Sequence, residues 1–379
     1  MNSLETIVIA THDKRFHVDD VGAVSLLASY FNTCPPEQKT IVKVIRTRET
    51  TLLDSADILV DVGGVYDPDK YRYDHHQVDC NETFSPFSLI PMSSIGMVWK
   101  HHGQAILARY IQAQPKINSI EGWSNHLEIL YQEVYVKIIQ EIDAHDNGIP
   151  MMEGGKRNYW SNLGLPSIIS SLNTSDTNDE EAQMQAFRQA MELFGKIFEI
   201  KLFEIITKYF DYQTDLIIVK DLLNQTNENY LIIDRRISTI FKCLNRLDPD
   251  YRIKFLIIKE AKETETQETE TQEKEYTVKT RSRKETPYQP LIVLDSAEKL
   301  RESFDDIIFV HKNGFIAKTK SLESAVGIIQ SASRRQEECL KVITPRQCPV
   351  PRKWLVTGGL LVIGAAVGIF LSHPSNNGA

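Results

Sequence analysis

Asp74-His75-His76 sets a carboxylate and two imidazoles side by side, and further donors precede it. His12, His17 and Asp19 share one short stretch, while Asp61 closes an apolar run and is followed by Gly63-Gly64. Glycines at that point allow a ligand close to the backbone. Mixed imidazole and carboxylate donors suit manganese, with magnesium, cobalt or iron as alternatives. A pair of such ions most often serves to cut phosphoanhydride or phosphodiester bonds. The expected ligand set is His12, His17, Asp19, Asp61, His75 and one of Asp143 or Asp146. Three carboxylates against two divalent cations leave about one unit of positive charge, which attracts phosphate. Asp61 is the expected bridging ligand, since a carboxylate offers two oxygens. Asp74 is expected to orient His75 from behind, as histidine ligands usually require. His76 is expected to donate a proton to the leaving oxygen or to clamp the phosphate.

Other residues carry two readings each. Arg46 and Arg48 end a strand on one face, either as solvated edge residues or as a phosphate clamp. Ser93-Ser94-Ile95-Gly96 opens a helix, where Ser94 either helps cap it or meets a phosphate at its N-terminus. His101 and His102 read as surface residues, and His126 and His145 as structural.

The elements that must position these groups alternate strand and helix through the first 150 or so residues. Ile7–Ala10, Ile41–Ile45 and Ile58–Val62 read as strands. Val24, Leu27, Ala28 and Phe31 give a helix beginning near Asp19 or Asp20, and Leu127 to Ile142 a longer one. This predicts an α/β fold with a mostly parallel sheet covered by helices, which binds ligands at the carboxyl ends of its strands. His12 and Asp61 fall at such ends. A helix from Met184 to about Phe210 comes after a polar loop, and then short strands at Leu216–Val219, Tyr230–Ile233 and Ile253–Ile258. A smaller α+β domain is expected from 173 to 345 after a first domain of 1–172. Its segment 262–275, built on Glu-Thr-Glu-Thr-Gln, has nothing apolar to bury and reads as a disordered insertion.

The bulk numbers narrow the class. A net charge of -8 over 379 residues excludes a broad basic face for sequence-blind duplex binding, but not a substrate held by metals and a few arginines. Five scattered cysteines without CxxC spacing read as reduced thiols. Eight of the ten histidines precede residue 150, so histidine chemistry belongs to the first domain. The first strand begins too early to leave room for a secretory leader. Beyond a basic linker at 346–353, Trp354–Leu371 is uncharged and glycine-rich, and reads as a transmembrane tail anchor. That would place the bulk of the chain in the cytosol, on the endoplasmic reticulum or the mitochondrial outer membrane. Gly364 and Gly368 would permit a homodimer through the same helix.

Ile9-Ala10-Thr11-His12, Phe16-His17-Val18-Asp19-Asp20, Val44-Ile45-Arg46-Thr47-Arg48, Val60-Asp61-Val62-Gly63-Gly64 and Arg72-Tyr73-Asp74-His75-His76-Gln77 form an ordered set. With Ser93-Ser94-Ile95-Gly96, Asp143-Ala144-His145-Asp146-Asn147-Gly148 and Asn313-Gly314-Phe315-Ile316, they resemble the signatures of the melanocyte proliferating gene protein family. That family is a branch of the DHH phosphoesterases. The resemblance implies a manganese-type two-metal site and 3′-to-5′ exonuclease activity on RNA. Two departures stand out. Val18-Asp19-Asp20 replaces Cys-Asp-Glu, and Ala317-Lys318-Thr319 replaces the Gly-Gly-His of the substrate-gripping segment, where Lys318 is the expected substitute phosphate contact. The reading is a membrane-tethered phosphodiesterase acting on short single-stranded RNA. A hydrolase of pyrophosphate or nucleotides, and a catalytically silent membrane adaptor, are the alternatives.

Overall fold

The computed structural model describes residues 5–32, 40–152, 163–235, 237–261, 274–284, 286 and 289–343. Internal contacts divide it into two units, Met1–Gln225 with Ile237–Leu247, and Thr226–Arg236 with Asp248–Ala379.

In the first unit, β1 (Glu5–Thr11), β2 (Thr40–Arg46), β3 (Ile58–Val60), β4 (Tyr66–Asp67) and β5 (Arg72–Tyr73) form one sheet, in the order β2-β1-β3-β5-β4. All neighbours pair in parallel except β4, which closes the edge antiparallel. The helices are α1 (Val18–Asn32), α2 (Thr50–Asp54), α3 (Ser94–Ala113), α4 (Pro115–Asn118), α5 (Leu127–Val134), α6 (Gln140–Asp146), α7 (Leu165–Ser171), α8 (Glu180–Gln225) and α9 (Ile240–Leu247). The pleat sends Ile9 of β1 into the main core with Leu27, Trp99, Phe187 and Phe194. Ala10 turns the other way, to Leu53, Ala56 and Leu59. The expected covered, mostly parallel sheet is thus present.

Two elements differ from the sequence reading. Leu216–Val219 is helical and lies within α8. Its β-branched run suggests a strand, but Tyr212 and Val219, two turns apart, are buried while Ile217 is exposed. That spacing belongs to one helix face. The Leu127–Ile142 helix is interrupted by a π-helical turn at Tyr135–Ile139 between α5 and α6. Such a turn shifts the phase of the helix beyond it.

In the second unit β6 (Tyr230–Ile233), β7 (Phe255–Ala261), β8 (Lys274–Thr280), β9 (Ile307–Val310) and β10 (Ile316–Thr319) form a sheet ordered β6-β7-β8-β10-β9. Helices α10 (Ala297–Ser303) and α11 (Leu322–Ile343) accompany it, and Phe255, Ile257, Val278 and Ala317 share a core with Ile328 and Ile329. Ala261 pairs with Lys274, so the chain between them leaves from the tip of a hairpin. The acidic segment expected there lies outside the described residues, apart from Lys274 and Glu275 in β8.

The membrane expectation is corrected. Among the described residues no helix is long and apolar enough to cross a membrane, and 354–371 lies outside them. The transmembrane helix, the tail anchor, the dimer contact at Gly364 and Gly368 and the membrane localisation are therefore withdrawn.

The crossing of α1 with α3 and α8 is tight. A Cβ on Gly22 would meet Ile95 Cδ1 at 2.5 Å and the Phe194 ring at 2.9 Å. Gly22→Leu should therefore cost about 1–3 kcal/mol of stability through overpacking. Thermal unfolding measures this, and wild-type stability in the variant would contradict the packing.

Candidate metal centre

Strand register assembles the site. Thr11, Arg46, Val60 and Tyr73 lie in one row across β2, β1, β3 and β5. The next residues, His12, Asp61 and Asp74, therefore leave the same carboxyl edge together. Asp61 does so at φ 57, a left-handed conformation that side-chain-bearing residues hold only where the surroundings enforce it. α1 begins at this edge. The His17 N–H donates to Asp20 Oδ1 at 2.8 Å, an acidic cap that seats Asp19 and Asp20 in the first turn.

The side chains converge there. His12 Nε2 lies 3.3 Å from Asp61 Oδ2 and 3.4 Å from Asp20 Oδ2. His75 Nε2 lies 3.1 Å from Asp146 Oδ2, 3.4 Å from Asp61 Oδ1 and 3.9 Å from Asp19 Oδ2. Donor atoms of Asp61, His75 and His76 lie within 4.8 Å of one another, and so do those of His17, Asp19 and Asp146. Burial pushes the Asp19 carboxyl well above its ordinary range, and Asp61, Asp146 and Asp20 push it further. Burial also lifts Asp20 to about 7, against the pull of His12. For Asp61, burial is overcome by the hydrogen bonds and charges of His12 and His75, which hold its carboxyl far below the usual carboxylate range. His75 is likewise opposed by burial, yet Asp146 and Asp61 raise it to about 10.

The sequence-selected residues do not all join this cluster. Asp146 does. Asp143 is fully buried and accepts from the Ser93 N–H (3.0 Å), the Ser93 hydroxyl (2.8 Å) and the Tyr135 hydroxyl (3.0 Å). It sits so close to the first turn of α3 that a Cβ on Gly96 would meet its Oδ2 at 2.4 Å. Ser94 is also buried, and its hydroxyl donates to Asp61 Oδ1 at 3.0 Å. Asp74 bonds His76 Nδ1 at 2.8 Å, not His75, and accepts from the Gly64 N–H at 2.6 Å. The His76 side chain is 63% exposed.

Arg46 is packed over Phe16 and Phe187 and donates to the Lys14 carbonyl at 2.6 Å. Arg48 pairs with Asp13. Lys318, in the second unit, pairs with Glu260 at 2.7 Å. His101, which is exposed, and His102, which is half-buried, bond the Tyr66 and Tyr73 hydroxyls at 2.7 and 2.6 Å, and His126 bonds Tyr209. Asp20, beside His12, is the acid the sequence reading left out. Its place three residues after the helix-capping His17 is the signal that could have found it.

Do these residues fit divalent ions? Both Asp19 oxygens are buried without a hydrogen-bond partner. A buried carboxylate among other carboxylates is costly unless a cation accompanies it. The oxygen and imidazole donors present suit manganese, magnesium or similar ions. The fit is good.

An α/β unit whose sheet edge gathers this donor set is a candidate hydrolase of phosphate esters. The MYG1 exonuclease family model, described as an uncharacterised protein family (UPF0160), matches residues 8–332. The chain belongs to this family. The MYG1 protein of Schizosaccharomyces pombe is 30% identical over 341 residues, covering 88% of this chain and 98% of that protein. The MYG1 exonuclease of Homo sapiens is 33% identical over 195 residues, covering 50% of this chain and 48% of its own. Among solved structures, the exonuclease RecJ bound to manganese matches over 90% of this chain and 91% of its own, at TM-score 0.23 and 12% identity, a slight likeness.

The geometry leads to two expected outcomes. Asp143→Ala strands three donors and should cost about 2–4 kcal/mol of stability without metal. Asp146→Ala should cost little stability but weaken manganese binding in a calorimetric titration. The reverse pattern would exchange their roles. The second outcome concerns pH. His75 binds its proton more tightly folded than unfolded, so its stabilising contribution is whole below its ordinary 6.5 and is lost as pH rises toward about 10. Metal-free protein should therefore melt at lower temperature near pH 10 than near pH 6. A flat or rising profile would contradict the His75 environment.

Proposed function

We propose that this chain is a metal-dependent exonuclease that hydrolyses phosphodiester bonds at the 3′ end of short single-stranded RNA, with manganese as its preferred ion. One observation carries the reading: Asp19, wholly buried and with neither carboxylate oxygen hydrogen-bonded, lies among Asp61, His75 and Asp146. The exonuclease names of several relatives support it.

His12, His17, Asp19, Asp61, His75 and Asp146 would hold two ions. Such ions neutralise charge on the reacting phosphate and the leaving oxygen. The other residues orient. Ser94 fixes Asp61 Oδ1, and Asp20 holds His12. Asp74 grips His76 Nδ1, and the exposed ring can pass a proton to the leaving oxygen.

Asp61→Ala and His75→Ala should each lower manganese-dependent cleavage of labelled single-stranded RNA by more than about a hundredfold, since even indirect changes around a metal cost ~10–100-fold. Circular dichroism would verify that the fold survives. Cleavage at the wild-type rate in either variant rejects the site. Hydrolysis of pyrophosphate, with RNA left intact by the wild type, rejects the substrate.

A further inference from the structure

We infer that the loop from His12 to His17 is a preorganised phosphate grip whose contacting group is the Arg15 guanidinium, with Arg46 and Arg48 acting as positioning residues behind it. The inference rests on the proposed function, because it places the grip beside the candidate metal centre.

The loop borders a cavity of ≈1130 Å³ lined by His12, Asp61, Asp74 and His76 together with Lys14 and Arg15. Its backbone is held from several directions. Arg46 Nη2 donates to the Lys14 carbonyl at 2.6 Å, and Arg48 Nη1 to the Asp13 carbonyl at 3.0 Å as well as to the Asp13 carboxylate. Asn173 takes the Phe16 N–H at 2.9 Å and returns its own N–H to the Phe16 carbonyl at 3.0 Å. Lys14 stands at φ 66, which a residue with a side chain keeps only when its surroundings over-determine it. Its ammonium is engaged by Asn178 Oδ1 at 2.7 Å.

The Asp13 and Lys14 side chains and the Asp13, Lys14 and Phe16 carbonyls thus have partners within the protein. The two carbonyls that would repel a phosphate are taken up by arginines. Arg15 is exposed and has no hydrogen-bond or ion-pair partner among the described residues. A planar guanidinium that need not break an existing bond, carried on a fixed loop at the rim of the cavity, matches a phosphodiester well. Arg46 and Arg48, which the spacing of residues offers as the clamp, are occupied in holding the loop that carries it.

The test measures binding as well as turnover. A short fluorescent single-stranded RNA is titrated by anisotropy with calcium in place of manganese, at several salt concentrations, against wild type, Arg15→Gln and Arg15→Lys. Arg15→Gln should weaken binding about tenfold and lower the salt slope by about one unit, while Arg15→Lys recovers most of the loss. The manganese-induced rise in melting temperature should be the same in all three. Wild-type affinity and slope in Arg15→Gln would overturn the inference. So would loss of the manganese response in that variant, since Arg15 would then be a structural support. If the wild type ignores RNA yet binds inorganic pyrophosphate in an Arg15-dependent way, the grip stands and the RNA reading falls.

Discussion

The structure turns on repulsion among buried acids. Asp19, Asp20 and Asp61 lie together at one edge of the sheet, wholly or nearly removed from water, with Asp146 alongside. Carboxylates so placed cannot all carry charge without opposite charge among them. His12 and His75 supply some, enough to hold Asp61 ionised. They do not reach both oxygens of Asp19. A chain folding only for stability would have put apolar groups at these positions. The arrangement makes physical sense as a receptacle for cations.

Everything nearby serves to keep these groups from moving apart. The parallel register aligns the exits of β1, β3 and β5, and the start of α1 brings the Asp19-Asp20 pair to the same edge. Behind them, Asp143 ties α6 to the first turn of α3 through Ser93, with Gly96 leaving room for the contact. Ser94, next along, steadies Asp61. An acid that reads as a ligand in one dimension is thus a strut in three, and its neighbour three residues on is the one that reaches the cluster. The phase shift of the π-helical turn before α6 lies between the two halves of that helix pair.

Much of the architecture was legible because it is written in local periodicity. Ile7–Ala10 and Ile41–Ile45 fall within observed strands, Ile58–Val62 overruns β3 by two residues, and the α1 pattern starts where Asp19 and Asp20 stand. Two-residue strands escape such reading. β4 and β5 have too few residues to show alternation, so the pattern does not reveal that the Asp-His-His segment directly succeeds a parallel strand. The Leu216–Val219 run misled for the opposite reason: β-branched residues have a strand preference that tertiary packing along a long helix overrode.

The sequence by itself determined the ingredients: which donors are present, that they cluster in the first unit, and that strand ends would carry them. Residue type and spacing suffice for that, since both are properties of the chain before it folds. Tertiary structure alone decided the assignments. Only packing tells that Asp146 and not Asp143 faces His75, that Asp74 holds His76, and that Arg46 and Arg48 bond the backbone of the loop after β1. The direction of a side chain depends on what lies against it, and those neighbours come from segments far away in the chain.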